Sequence, residues 1–137
     1  IYKQLAATEH AQAMDLNNLA WIGMFAAEPL PDLIAWAQRA VEGTASSESG
    51  FLNTLATLYA ESGATRQAIE LVWKSMDADG RSTPRPEDFY VTARMAEAFG
   101  LVDIAKKLYL EVPKPRRGEN AATSVRALAD KRMATLR

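Results

Sequence analysis

The 137-residue chain carries 16 basic and 17 acidic side chains, and 48% of its residues are apolar. That apolar share excludes a disordered chain, and no apolar run approaches the eighteen or so residues needed to cross a bilayer. Cysteine is absent, which excludes disulfides, thiolate nucleophiles and cysteine-held metals but leaves the compartment open; cytoplasm is favoured. The length suits a single domain over residues 1–137. The chain opens on Ile1 without a signal-peptide pattern, so we expect a fragment or processed product, with any targeting region outside it.

In chain order, residues 2–14 read as an alanine-rich helix. No breaker separates it from Asn17, so it is either a separate helix or an extension of the next. A helix pair over 16–45 follows, with Pro29-Leu30-Pro31 at its turn. A proline in the first turn of the second helix accounts for the missing glycine there, because its absent N–H would be unpaired anyway. A polar turn over 43–50 leads to the clearest segment, 49–80. Leu52, Leu55, Ala56 and Tyr59 form one apolar stripe, and Ser62-Gly63 stops that helix. Thr65 is the expected N-cap of the second helix, whose buried side would be Ala68, Ile69, Val72, Trp73 and Met76. Small Ala56 and Ala68 would meet where the two helices approach.

The unit recurs. Phe89, Ala93, Gly100, Ala105 and Tyr109 reproduce Leu52, Ala56, Gly63, Ala68 and Val72, each 37 residues later, which sets a third pair over 86–113. Upstream, Asn17-Asn18-Leu19-Ala20 matches Asn53-Thr54-Leu55-Ala56 at an offset of 36. The added length falls in the loop 79–86, which two prolines and a glycine keep from being helical. Pro113-Lys114-Pro115 ends the pattern, and a final helix over 120–137 carries Val125, Leu128, Ala129, Met133 and Leu136 on one face. We expect seven helices, or eight with a break near Asp15, and no strands.

The order leucine, small residue, aromatic, glycine, small alanine resembles the tetratricopeptide (TPR) repeat family, in a bacterial-type domain. The resemblance covers about Leu16 to Val112. It implies an all-α, right-handed α-α superhelix of about three TPR-like hairpins, which the last helix would cap. It also implies a non-catalytic protein-protein interaction or scaffold module, binding a peptide or partner domain (another domain of the parent protein included) on its concave face. By position, that face would present Asn17, then Asn53, Thr57 and Glu61, then Tyr90, Arg94 and Glu97. Asn53 would hold a peptide backbone and Arg94 a carboxylate. Both are expected to be exposed, so removing both side chains should leave stability unchanged. The lysine clamp some TPR domains use for a C-terminal carboxylate is not reproduced. The pentatricopeptide repeats share Asn53-Thr54-Leu55 and the ending Met76, Gly80, Pro84, but they usually form long basic arrays.

Little else points to chemistry. His10 stands alone, with no serine elbow, phosphate loop or ligand cluster, so no catalytic residue, metal or cofactor is expected. The carboxylate pairs Glu87-Asp88 and Asp77/Asp79 lie at helix ends, where those near an N-terminus suit the dipole. From Lys106 onward, nine basic side chains face three acidic ones. An alternative function is therefore nucleic-acid binding through Arg116, Arg117, Arg126, Lys131 and Arg132, or through a pentatricopeptide-like groove. No aromatic residue follows Tyr109 to supply base stacking. A third reading is an enzyme whose catalytic domain lies outside the chain, with the repeats positioning its substrate. Trp21, Trp36 and Trp73 sit on apolar stripes and are expected to pack in the core.

Overall fold

The computed structural model describes residues 2–44 and 48–136, with the side chains of 2–7 and 86 excepted. The middle of the expected 43–50 turn and Arg137 of the basic tail lie outside the described residues. The described residues form seven α-helices: α1 (Tyr2–Phe25), α2 (Leu30–Glu42), α3 (Ser49–Glu61), α4 (Thr65–Asp79), α5 (Pro86–Ala98), α6 (Val102–Glu111) and α7 (Val125–Thr135). A single 3-10 turn, Ala121–Thr123, precedes α7, and the described residues contain no strand. Residues 2–25 form one helix without a break at Asp15.

Packing follows the chain. The closest pairs are α1 with α2, α3 with α4 and α5 with α6; α2 then packs on α3, α4 on α5, and α3 touches both α1 and α5. This packing of sequence neighbours is consistent with a helical repeat. The interior is made from small residues where helices cross: Ala20, Ala56 and Ala93 on the first helices, Ala68 and Ala105 on the second, are all fully buried. Ala56 and Ala68 share one apolar cluster with Ala60, Val72 and Val91. Interiors at organic-crystal density have no room for three extra carbons. Ala68→Leu is therefore expected to destabilise by about 1–3 kcal/mol. An unchanged urea midpoint would show that these helices do not approach closely.

The three turns within the pairs close in one way. The N–H of Glu28 reaches the carbonyl of Gly23 at 3.1 Å, Ala64 reaches Tyr59 at 2.9 Å, and Leu101 reaches Ala96 at 2.9 Å. Each is the six-to-one bond of a helix that ends in a left-handed residue. In the second and third turns that residue is glycine, Gly63 (φ 86°) and Gly100 (φ 77°). In the first it is Ala27 (φ 57°), 36 residues before Gly63. The proline at the start of α2 thus does not replace the left-handed stop. Alanine makes it, at a steric cost of roughly 1–2 kcal/mol.

Three details differ from the expected pattern. α4 begins at Thr65 after Ala64, with no side-chain cap. Its inward stripe is Ala68, Val72 and Ser75, with Ile69 and Met76 partly buried. Trp73, one position on and hence about 100° around the helix, is 61% exposed rather than in the core. Trp36 and Trp21 are half-buried against apolar clusters.

The C-terminal helix keeps its expected face, with Val125, Leu128 and Ala129 buried and Met133 and Leu136 partly so. Asn120 caps the 3-10 turn by accepting from the N–H of Ala122 (3.0 Å), and Ser124 caps α7 by accepting from Ala127 (3.2 Å). α7 packs on α5 and α6, while the 3-10 turn reaches α1. There the Trp21 indole donates to the Thr123 carbonyl at 2.9 Å, across 102 residues of sequence. Trp21, Met24 and Phe25 pack into the same cluster as Tyr109, Val125 and Leu128. The last helix therefore ties the third pair back to the first.

Candidate functional site

The inner helices α1, α3 and α5 were expected to expose seven side chains to a groove. The packing of α5 on α3 and of α7 on α5 leaves most of them inside. Thr57 and Tyr90 are fully buried. The Thr57 hydroxyl donates to the Asn53 carbonyl at 2.9 Å, and the Tyr90 hydroxyl donates to the Glu61 carboxylate. Arg94 gives two hydrogen bonds to the Ala60 carbonyl, at 3.3 and 2.9 Å. Glu97 accepts from Tyr109 at 3.0 Å and pairs with Arg132. The free concave face is thus corrected for Thr57, Tyr90, Arg94 and Glu97, and Arg94→Ala would remove two internal bonds rather than a solvated side chain.

Two of the seven share one opening. Asn17 on α1 and Asn53 on α3, 36 residues apart, line one cavity of about 300 Å³ with Asn18, Trp21, Thr54, Arg85 and Glu87. Asn53 is only 4% exposed, so it too is not the exposed residue that the sequence suggested. Both carboxamide oxygens are buried and have no hydrogen-bond partner. A second cavity, of about 430 Å³, adjoins the first at Trp21 and Glu87. Its walls come from the segment after α6: Pro113, Lys114, Pro115, Arg116, Glu119 and Thr123 through Arg126. Glu61 faces a third space, of about 270 Å³, between the end of α1 and α7.

The basic tail is less free than its composition implied. Arg126 donates to Asp130 at 2.9 Å and to the Val112 carbonyl at 2.8 Å. Arg132 is committed to Glu97. Arg116, Arg117 and Lys131 are exposed. In the 430 Å³ cavity Lys114, Arg116 and Arg126 face Glu87 and Glu119, an excess of one positive charge, and Arg126 is itself paired with Asp130 outside the lining.

Burial pushes the Glu97 carboxyl up, but the hydrogen bonds from Arg132 and Tyr109, with the charges of Arg132 and Arg94, outweigh it and hold it below the ordinary range. Burial, then Glu97 itself, pushes the Tyr109 hydroxyl up. A carboxylate with a depressed folded-state pKa stabilises fully above its unfolded pKa, and that stability is lost as pH falls through the folded value. Acidification below about pH 4 should therefore loosen the α5–α7 junction. Glu97→Gln is expected to lower the urea midpoint at pH 7 and to flatten its fall between pH 5 and pH 3. Parallel falls in both proteins would exclude Glu97 as a source of acid sensitivity.

His10 is exposed, 3.4 Å from Glu48 and stacked near Phe51, and lines none of these cavities. Asp88 accepts from the Arg85 N–H at 2.7 Å, at the start of α5, where the helix dipole favours it. Among the described residues no group of three acidic or histidine side chains is placed to hold a metal, and no helix is long and apolar enough to cross a membrane.

One surface was missed from sequence. At the α5–α6 turn, Phe99 (74%), Leu101 (48%), Val102 (37%) and Ile104 (50%) are exposed together. Their counterparts 37 residues earlier are Ser62, Ala64, Thr65 and Gln67. The same offset that aligned the helix pairs marks this turn as the unusually apolar one. Comparison with protein-family models, with curated proteins and with solved structures finds no match.

Proposed function

We propose that the chain is a non-catalytic protein-interaction module of tetratricopeptide type, its helix pairs forming a right-handed superhelix. In this reading it takes a segment of a protein partner into the cleft beside Asn17, Asn53 and Trp21. The supporting observation is the pair of carboxamides at equivalent positions of successive helix pairs, lining one cavity with no donor for either oxygen. An unpaired buried polar group costs about 1–3 kcal/mol, and a bound peptide main chain supplies the missing N–H groups. The two carboxylates, Glu87 and Glu119, in the wall of the adjoining cavity would oppose a polyanion but not a dipolar main chain. The nucleic-acid alternative is weakened by the commitment of Arg126 and Arg132 to Asp130 and Glu97.

The test is selection of displayed peptides on the full chain, then fluorescence anisotropy with the winning peptide. Asn17→Leu/Asn53→Leu is expected to weaken binding at least tenfold while the thermal midpoint holds or rises. Removing partnerless carboxamides takes away function, not structure. Equal affinity in the double variant, or no selected peptide, would sink the reading. An oligonucleotide bound instead, with affinity falling steeply as salt rises, would move function to the exposed Arg116, Arg117 and Lys131.

A further inference from the structure

Two neighbouring carboxylates at the start of α5 have different fates. Asp88 is 1% exposed and is taken by Arg81 at 3.1 Å and by the Arg85 N–H at 2.7 Å. Glu87, one residue earlier, is half-buried, and no cation or hydrogen-bond donor among the described residues pairs with it. The helix start favours its negative charge without supplying a counter-ion. It lies where the two cavities of the cleft meet, as does Trp21.

In the 300 Å³ cavity the other ionisable side chain is Arg85. Its guanidinium is committed to Asp79 at 2.6 Å and to the Ser49 hydroxyl at 3.4 Å. Arg81 pairs with the same Asp79 and with Asp88, so two arginines and two aspartates balance within one network. The uncompensated charge of this cavity is therefore that of Glu87. The carboxamide oxygens of Asn17 and Asn53 in the same wall also lack donors, and Asn53 is 4% exposed. On the reading of this cleft as a peptide site, we propose that the bound segment carries a lysine or arginine whose cationic head sits against Glu87 and the face of Trp21. Asn17 and Asn53 hold the main chain, and the basic side chain supplies the missing countercharge. Hydrogen bonds from a cation to a carboxylate are about twice as strong as neutral ones, and indole is the ring that best attracts a cation. An acidic side chain in that place would meet Glu87 with like charge. Lys114, Arg116 and Arg126 line only the larger cavity, so the cation belongs on the side of the two asparagines.

The probes are N-acetyl-lysine methylamide, its arginine and norleucine analogues, and n-butylamine. Each is titrated into the isotope-labelled full chain while the Trp21 indole and asparagine carboxamide resonances are followed. The lysine or the arginine probe should shift them, and the norleucine probe should not. Glu87→Gln, with native circular dichroism, should weaken that binding at least tenfold. In a displayed peptide selected on the chain, replacing the basic residue by norleucine should cost about tenfold with the native protein and almost nothing with Glu87→Gln. A norleucine probe equal to the cationic ones, unchanged binding in Glu87→Gln, or a response to butylamine alone would each overturn the proposal, the last in favour of a free amine. Peptides lost in Asn17→Leu/Asn53→Leu yet indifferent to Glu87→Gln would overturn it too, and leave the peptide-binding reading standing. No selected peptide, with the amino-acid probes still dependent on Glu87, would instead sink that reading and keep the cation site.

Discussion

Arg81→Ala is expected to destabilise the protein by about 3 kcal/mol, more than any other loop substitution. The side chain looks dispensable in sequence, one of two arginines in a loop with two prolines. In the structure it is an anchor. Its guanidinium pairs with Asp79 at 2.8 Å and Asp88 at 3.1 Å, and donates to the Thr83 carbonyl at 2.9 Å. The Arg81 side chain is 16% exposed and that of Asp88 only 2%. Hydrogen bonding from Arg81 and then Ser49 holds the Asp79 carboxyl below its usual range. Breaking a buried pair leaves an uncompensated charge, which costs about 3–5 kcal/mol. The low end applies because Asp88 keeps the Arg85 N–H and the start of α5. The comparison is Arg66, whose pairing with Glu70 is 89% and 58% exposed. Its alanine variant should change stability by less than about 0.5 kcal/mol. Urea unfolding of Arg81→Ala, Asp88→Asn and the double variant reads the coupling directly. A loss below about 1 kcal/mol for Arg81→Ala would mean that the loop is not fastened this way.

The contrast between these two arginines shows what the sequence holds and what it hides. Local chemistry was legible. Glycines at the second and third turns, small alanines at the crossings and the apolar face of α7 all follow from residue type and spacing, and all seven helices were expected. The left-handed Ala27 was not legible, since alanine gives no sign of that conformation; only the shared offset with Gly63 and Gly100 points to it. The rotation of α4 that puts Trp73 in solvent was ambiguous, because apolar residues at 69, 72, 73 and 76 allow two stripes. The site divides the same way. The offset puts Asn17 and Asn53 at matching places on α1 and α3, where they share a cavity, but it gave no sign that Asn53 is buried. Thr57, Tyr90, Arg94 and Glu97 were misplaced because an open inner face was assumed. What closes that face is the packing of α5 on α3 and the return of the C-terminal segment onto α5 and α1, long-range contacts that residue spacing does not reveal.

Trp21→Ala tests that closure, and it should cost about 2–4 kcal/mol, below the full value for a buried tryptophan because the ring is half-exposed. The indole carries three contacts at once. It donates to Thr123, meets the Phe25 ring edge-on at a centroid distance of 5.6 Å, and packs into the cluster that holds Tyr109 and Leu128. Its loss removes the hydrogen bond that ties the C-terminal segment to α1 but leaves the α3–α4 pair intact. The destabilisation should therefore be local: hydrogen exchange is expected to speed up at least tenfold in 121–135, with the amides of α3 and α4 following only the global change. Trp21→Phe should recover most of the packing but not the bond to Thr123. The two variants thus divide the loss between apolar burial and the latch. Uniform acceleration across all seven helices would instead make Trp21 a general core residue, with α7 held by the α5–α6 pair alone. Selective release of α7 would also open the wall formed by Thr123 to Arg126. A peptide selected on the native chain should then bind Trp21→Ala more weakly, because Trp21 and that wall line the cleft together.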